Sequence, residues 1–383
     1  MPYFVPRMKL AFVQDWFNAN GGAEKVAGAI IALYEKEEVD IYGLFDKFSP
    51  DAKADILKGK PVITSVLQYV PFISKLYRYF LPVMPWLMGR FNLKGYDLIL
   101  STSHAVAKGF RSDPGTLNIC YCHTPLRPIW DMYDDYASGH WLGRTGLYKW
   151  YVQYLRRWDA ASAQHVHYFI ANSEHIRQRI ARSYGRESKV IYPPVRVDKF
   201  ALSEAPRQDY YLCVGRVVPY KKMDMIARAF KAMPDKQLKL IGEGWGAKEF
   251  DDLKGCANIE WLGYQPDEAM IRYVQQAKAC IFAAKEDFGI MCVEVQACGT
   301  PVIALDYGGY KETVIDGATG YLYADQSEEG VIEAVKKFEN KPLTNHRLIR
   351  ENSIRFSEER FNEEFTGFVA EARREFAKEK IKK

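Results

Sequence analysis

Short apolar runs recur along the chain, each followed by a glycine-bearing or polar turn and then by an amphipathic stretch. Lys9 to Gln14 (KLAFVQ), Asp40 to Phe45, Tyr96 to Leu100, Thr116 to Cys122 (TLNICYC) and His167 to Asn172 read as strands buried on both faces, the signature of a parallel sheet. Ser188 to Tyr192 is one more, after which Pro193-Pro194 stops regular structure. The pattern restarts with Tyr210 to Val214, Leu238 to Ile241, Ile259 to Leu262, Ala279 to Ala283 and Pro301 to Ala304. Helices are predicted where caps and periodicity agree. Ser173 caps one with Ile176 and Ile180 on a single face, and Gly289 and Gly299 bracket another from about Ile290 to Cys298. Beyond Tyr323 the chain turns helical, over Glu328 to Phe338, Asn345 to Phe356 and Ser357 to Lys378, with Phe356, Phe361, Phe365 and Phe368 as an apolar stripe. Strands alternating with helices, twice over, predict an α/β protein of two doubly wound halves. Their bounds are expected at 1–192 and 210–356, with a linker at 193–209 and a terminal helix at 357–383.

The length of 383 residues exceeds one ordinary core and agrees with two domains. With 48% hydrophobic and 26% charged residues the chain is globular. An excess of 53 basic over 48 acidic residues is too small to argue for nucleic acid, and none is expected as a partner. Seven scattered cysteines (120, 122, 213, 256, 280, 292 and 298) form no C-x2-C pair, so neither zinc nor a disulfide framework is expected and a reducing cytosol fits. The opening MPYFVPRMKLAFVQ shows no signal-peptide pattern.

How the charge is distributed says more. From Ile56 to Tyr96 there is no acidic residue, whereas Lys58, Lys60, Lys75, Arg78, Arg90 and Lys94 are basic and aromatic residues lie between them. Lys75, Arg78 and three prolines interrupt the apolar run, which argues against a membrane-spanning helix. Residues 56–96 are expected to rest reversibly on anionic headgroups, each basic residue contributing roughly 1 kcal/mol; the alternative is a buried face of the core. A second acid-free stretch, Ala137 to Trp158, carries His140, Arg144, Lys149, Arg156 and Arg157 and extends the same basic face.

Candidate chemistry concentrates in Lys285 to Ala304, KEDFGIMCVEVQACGTPVIA. Glu286 falls in a strand-to-helix loop, Glu294 about one turn inside the helix, and Phe288, Gly289 and Ile290 at the helix mouth. Unpaired N–H groups and a partial positive charge there suit a phosphate. Two flanking carboxylates repel an anion unless each has hydroxyl donors of its own, a condition that a sugar nucleotide meets. By spacing alone, two glutamates of this kind are usually a solvated helix face. Arg216 and Lys221, five apart across the loop after Tyr210 to Val214, can both reach an anion at the next helix mouth. Gly21-Gly22 opens the first helix, and His123 stands at the C-terminal end of TLNICYC, where open α/β sheets place ligands. Alternation puts Cys120 and Cys122 on one side of that strand, so core packing accounts for them more simply than a metal. The acidic cluster Asp131, Asp134 and Asp135 lacks D-x-D spacing, and no metal or cofactor is expected.

Glu286-x7-Glu294 within EDFG and ACGTPVIA, followed by Gly308-Gly309 and Glu312, resembles the retaining nucleotide-sugar glycosyltransferases of family 4. CHTPLRPIWDMYDDY resembles their bacterial O-antigen and exopolysaccharide mannosyltransferase branch, and YPPVRVDKF the passage between their two domains. The resemblance covers most of the chain, from Gly21-Gly22 to the C-terminal helices. It implies the GT-B fold, two Rossmann-like domains facing each other across a cleft, the first binding acceptor and the second nucleotide sugar, with the C-terminal helix crossing back to the first. It places Arg216, Lys221, Phe288, Gly289, Ile290 and Gly22 at the donor diphosphate, Glu294 at the ribose, and Gly263 and Tyr264 beside the base. Glu286 and His123 would contact the reacting sugar. The implied reaction is retaining, metal-independent hexosyl transfer to a lipid-linked or polysaccharide acceptor in cell-surface glycan synthesis. GDP-mannose is the donor favoured by the CHTPLRPIWD match, and the implied location is peripheral, on the cytoplasmic face of the membrane. Two rivals share the architecture: a sugar-nucleotide 2-epimerase and a non-catalytic subunit. A glycoside hydrolase is disfavoured, since its carboxyl pair flanks the scissile bond at about 5 to 10 Å and leaves the phosphate-binding residues without a purpose.

Overall fold

The computed structural model describes residues 8–18, 21–131, 146–243 and 248–382. Asn20, Asp134, Asp135, His140, Arg144 and Gly244 lie outside the described residues. The chain divides into two compact units, unit 1 of residues 1–194 with 361–383 and unit 2 of residues 195–360.

Unit 1 carries the strands β1 (Lys9–Gln14), β2 (Glu38–Gly43), β3 (Val62–Thr64), β4 (Asn92–Leu93), β5 (Leu98–Ser103), β6 (Arg111–Ser112), β7 (Leu117–Cys122), β8 (Tyr168–Ala171) and β9 (Ser188–Val190). Among the described residues, seven of them form one parallel sheet in the order β3-β2-β1-β5-β7-β8-β9, while β4 and β6 pair apart. The chain winds outward from β1 to β3 and then resumes on the other side of β1 at β5. That reversal makes the β1/β5 boundary the topological switch point, where connections diverge and leave a crevice at the carboxyl ends of the strands.

Both faces of the sheet are covered, which is why its strands read as unbroken apolar runs. On one face Leu10, Phe12, Leu98, Leu100 and Ile119 pack with Val26 and Ile30 of the helix Gly22–Leu33. Phe361, Phe365, Val369 and Ala372 of the C-terminal helix Glu358–Lys382 join the same cluster. On the other face Ala11, Val13 and Ile99 meet Leu87, Met88, Leu126, Val152 and Leu155.

The acid-free segment folds as short helical turns, Val66–Tyr69, Ile73–Leu76, Tyr77–Phe80 and Met84–Met88. Its residues divide between core and surface. Leu67, Ile73, Met84, Leu87 and Met88 join the core, whereas Tyr69, Phe72, Tyr79 and Trp86 keep 63–85% of their surface exposed. No helix among the described residues is long and apolar enough to cross a membrane.

Unit 2 carries β10 (Tyr211–Val214), β11 (Leu238–Ile241), β12 (Ile259–Gly263), β13 (Ala279–Phe282), β14 (Val302–Leu305) and β15 (Gly320–Tyr323), in the parallel order β12-β11-β10-β13-β14-β15. Its switch point is the β10/β13 boundary. Residues 195–209 contain no helix or strand, yet Val195 and Phe200 are buried. Arg207 donates to Gln275 O and Ala277 O at 2.9 Å and to Thr300 Oγ1 at 2.7 Å, and burial lowers its pKa. These bonds tie the segment to the strand and helix ends of unit 2.

Candidate active site

In unit 2 the end of β13 is pinned from outside, Tyr323 Oη donating to Phe282 O at 3.2 Å and Gln326 Nε2 to Ala283 O at 2.7 Å. The chain then turns through Glu286 into the helix Ile290–Ala297, with Gly289 as its N-cap at φ +87°. Glycine is required there on two counts, because a Cβ would also stand 2.7 Å from Cε1 of Tyr310. Gly309 N donates to Glu286 O at 3.1 Å, so the loop after β14 clasps the loop after β13. Phe288, buried, packs edge-on against Phe356 at 5.5 Å. The clasp holds the helix mouth in shape, and its leading N–H groups have no intrahelical acceptor.

Across the switch point, β10 leads through Gly215 and Arg216 to the 3-10 turn Pro219–Lys221. Lys222 then adopts φ +54° and redirects the chain into the helix Met223–Lys231. The Lys221 ammonium forms an ion pair with the Glu286 carboxylate. Burial acts to lower the Lys221 pKa, but Glu286, with Tyr220, more than offsets it and holds the ammonium above its ordinary value. Arg216 is exposed, and its charge acts against that of Lys221. From sequence Lys221 was expected at the diphosphate and Glu286 at the sugar; in the fold the two partner each other. Glu294 lies on the same helix as expected but is only 3% exposed.

At the edge of the same sheet Gly263 takes φ +65°, its carbonyl accepting from Gly242 N at 2.9 Å, and Tyr264 is largely exposed. Unit 2 therefore gathers Arg216, Lys221, Glu286, Phe288, Gly289, Ile290 and Glu294 at its switch point, with Gly263 and Tyr264 at the end of the outer strand β12.

Gly22 and His123 belong to unit 1. Gly22 opens the helix Gly22–Leu33, but Glu24 folds back so that its Oε2 accepts from Gly21 N at 3.2 Å. That helix mouth is thus capped by the chain's own carboxylate. His123 follows β7 and donates its backbone N–H to Ser103 O at 2.9 Å. Burial, and to a lesser degree neighbouring His104, push its pKa down to about 3, so the ring is neutral. Cys120 and Cys122 pack with Val166, Phe169 and Ile176 in the core, where burial raises the Cys120 thiol to about 11. Asp131 pairs with Arg179. Among the described residues no cluster of His, Cys, Asp and Glu is arranged to hold a metal ion.

The sequence reading passed over Asp15 and His104, each the first residue after a strand, and passed over Tyr310 and Gln326, which shape the helix mouth from other elements. The first two carried a local signal. The last two carried none.

Two family descriptions divide the chain at nearly the same place. Glycosyltransferase Family 4 matches residues 20–199, and Glycosyl transferases group 1 matches residues 195–355. The chain belongs to the GT-B glycosyltransferases of the group 1, family 4 type. Among curated relatives, a D-inositol 3-phosphate glycosyltransferase of Mycobacterium sp. (strain KMS) is 33% identical over 153 residues, 35% of either chain. A GDP-mannose-dependent alpha-(1-6)-phosphatidylinositol monomannoside mannosyltransferase of Mycolicibacterium smegmatis is 28% identical over 194 residues, 43% of this chain and 50% of that one. This chain spans between about a third and about half of the length of the curated relatives it matches. In fold, this GT-B chain is similar to Anabaena HepE in complex with UDP, with a TM-score of 0.69 at 18% identity over 95% of this chain and 100% of that one. It is similar also to the lipopolysaccharide outer core galactosyltransferase WaaB, with a TM-score of 0.64 at 16% identity over 95% and 99%.

Proposed function

We propose that the protein transfers a hexose from a nucleotide diphosphate sugar to a hydroxyl of a lipid-linked or polysaccharide acceptor, with retention of anomeric configuration. The observation that carries this reading is the pairing of Lys221 with Glu286 beside the helix mouth of Gly289 and Ile290, at the switch point of unit 2. Lys221 and Glu286 satisfy each other's charge. A diphosphate attracts the ammonium, and a hexose offers hydroxyl donors to the carboxylate, so a ligand carrying both groups replaces the ion pair without stranding either charge.

As the bond from the anomeric carbon to the phosphate oxygen breaks, negative charge grows on the leaving diphosphate. Arg216, Lys221 released from Glu286 on ligand binding, and the helix N-terminus meet that charge. Glu286 orients the sugar, Glu294 takes the ribose diol, and Gly263 with Tyr264 flanks the base. His123, neutral and partly buried, takes part in the reaction as a hydrogen-bonding group. Gly22 is assigned close to the phosphates by resemblance alone. GDP-mannose is the preferred donor, supported by the CHTPLRPIWD resemblance and by the name of the mycobacterial mannosyltransferase relative. Exposed Tyr69, Phe72, Tyr79 and Trp86, among basic residues with no acid between Ile56 and Tyr96, support a reversible seat on an anionic bilayer and so a peripheral cytoplasmic location.

A thermal-shift panel of nucleotide sugars identifies the donor. Turnover of that donor is then compared for Arg216→Ala and Lys221→Ala, each expected to lose about 10²–10³-fold in kcat. Unchanged turnover in both variants refutes the assignment. Conversion of the donor alone into an epimer, with no acceptor present, replaces it with an isomerase.

A further inference from the structure

At the switch point of unit 1 three neighbouring strands end side by side: β1 leads to Asp15, β5 to His104 and β7 to His123, with Gln14 in register with Thr102 and Ser103 with Cys122. Asp15 is fully buried. One of its oxygens accepts the backbone N–H groups of His104 at 2.7 Å and Ala105 at 3.1 Å, the other those of Val106 at 2.5 Å and Ala107 at 2.6 Å. Without it four amides would lose their acceptor, so this carboxylate holds the turn after β5 in shape. The oxygen bonded to His104 N also lies 3.1 Å from the ring Nδ1 of His104, off the line of a straight hydrogen bond. A buried carboxylate at that place favours a proton on Nδ1, so Nε2 is the ring nitrogen left to face a ligand.

Nδ1 is buried while the His104 side chain keeps 26% of its surface exposed, so the open side of the ring is the side that carries Nε2. Trp16 meets that ring edge-on at 4.8 Å, and the centre of the His123 ring is 6.4 Å away. His123 Nε2 and Ser103 Oγ are both buried without a hydrogen-bond partner among the described residues. Buried polar atoms are nearly always paired, and unpaired ones gathered at a strand-end crevice are groups that a ligand would satisfy. The Asp15 charge disfavours an anion there. Two imidazoles, a hydroxyl and an aromatic edge suit a sugar.

We propose that this cluster is a hydroxyl-binding subsite for the sugar acceptor. His104 meets the acceptor hydroxyl through Nε2, and Asp15 is its positioning residue. The inference rests on the glycosyl-transfer reading above and extends it from His123 to Asp15, Ser103 and His104, which that reading does not use.

Transfer from the donor found in the thermal-shift panel to octyl α-mannopyranoside and octyl β-glucopyranoside is measured for the wild type and for His104→Ala, His104→Gln and His104→Asn. Nucleotide affinity and slow hydrolysis of the donor by water are followed in parallel. His104→Ala is expected to lower acceptor kcat/KM by about 10–100-fold, with nucleotide affinity and donor hydrolysis within about twofold of the wild type. Gln, whose amide reaches the Nε2 position, recovers part of the loss, and Asn, which reaches only the Nδ1 position, does not. Recovery by Asn and not Gln, or equal losses in transfer and hydrolysis, makes the role of His104 structural and overturns the proposal. A His104 ring whose NMR nitrogen shifts place the proton on Nε2 overturns it as well. A wild type that hydrolyses the donor yet transfers to neither glycoside removes the sugar subsite. One that binds no nucleotide sugar removes the glycosyl-transfer reading itself.

Discussion

Gly309→Ala tests whether the clasp between two loops sets the catalytic geometry of unit 2. Gly309 sits in the right-handed helical region at φ −65°, so alanine carries no backbone penalty there and the substitution isolates one collision. The added methyl would lie 2.2 Å from Phe288 Cα and 2.3 Å from Phe288 O. The two loops must part by roughly 0.8 Å before the nearer contact reaches even 3.0 Å, the distance below which Cβ contacts essentially never occur. Phe288 lies two residues from Glu286, and Gly309 N is itself bonded to Glu286 O, so the displacement falls on the carboxylate and on the helix mouth. A misplacement of about 1 Å costs on the order of 10²-fold in rate, or about 2.7 kcal/mol of transition-state stabilisation. Overpacking itself costs about 1–3 kcal/mol of stability. The assay is kcat/KM with the donor identified by thermal shift, beside nucleotide affinity by calorimetry and a thermal melt. Gly317→Ala is the control, since its φ of +75° strains alanine while nothing lies within 4 Å of the new methyl. It should lose some stability and keep its kinetics. A folded Gly309→Ala protein with kcat/KM within twofold of the wild type would refute the claim that this clasp positions Glu286.

Glu294→Gln is expected chiefly to raise donor KM, by about tenfold, and His123→Ala chiefly to lower kcat; steady-state kinetics showing the reverse pattern contradict the roles assigned to them. His123 also predicts a pH dependence of stability. Its pKa falls from 6.5 to about 3 on folding, so between those values the unfolded chain binds a proton that the folded chain refuses, and stability drops as the pH falls through that window. The slope attributable to this group is at most about 1.4 kcal/mol per pH unit; urea titrations from pH 4 to 7 should show it vanish in His123→Gln. Flotation with anionic vesicles should carry the protein at low salt and release it as salt rises, and Phe72→Ser with Trp86→Ser should weaken binding without shifting the thermal midpoint. Equal flotation with neutral and anionic vesicles would remove the electrostatic part of that account.

Much of the framework was legible before any coordinates, because it is written locally. KLAFVQ and TLNICYC are apolar on both sides since both faces of their sheet are covered, and YYLCV, in the other sheet, is buried along its strand. Ser173 accepts from Ile176 N at 3.1 Å, as its place before an amphipathic run implied, and Gly289 takes the positive φ that its place before a helix implied. The phenylalanines of the C-terminal helix announced a buried stripe, and Phe361 and Phe365 are buried in unit 1. Where one stretch of chain had to serve two environments the pattern was ambiguous, as in residues 56–96, whose inward residues complete the core while their outward aromatics stay exposed.

What lay beyond local reading are the partnerships across sequence. Lys221 and Glu286 are 65 residues apart, and Asp15 is bonded to amides 89 to 92 residues away. Nothing in either neighbourhood names the other. Sheet order brings them together, because β10 lies against β13 and β1 against β5. Composition and periodicity record what each segment asks of solvent and of its own backbone, and so they determined the strands, caps and loops. Which strand ends become neighbours follows from how the whole chain packs, and the tertiary structure alone decided that one carboxylate faces an ammonium while another closes a turn beneath a histidine.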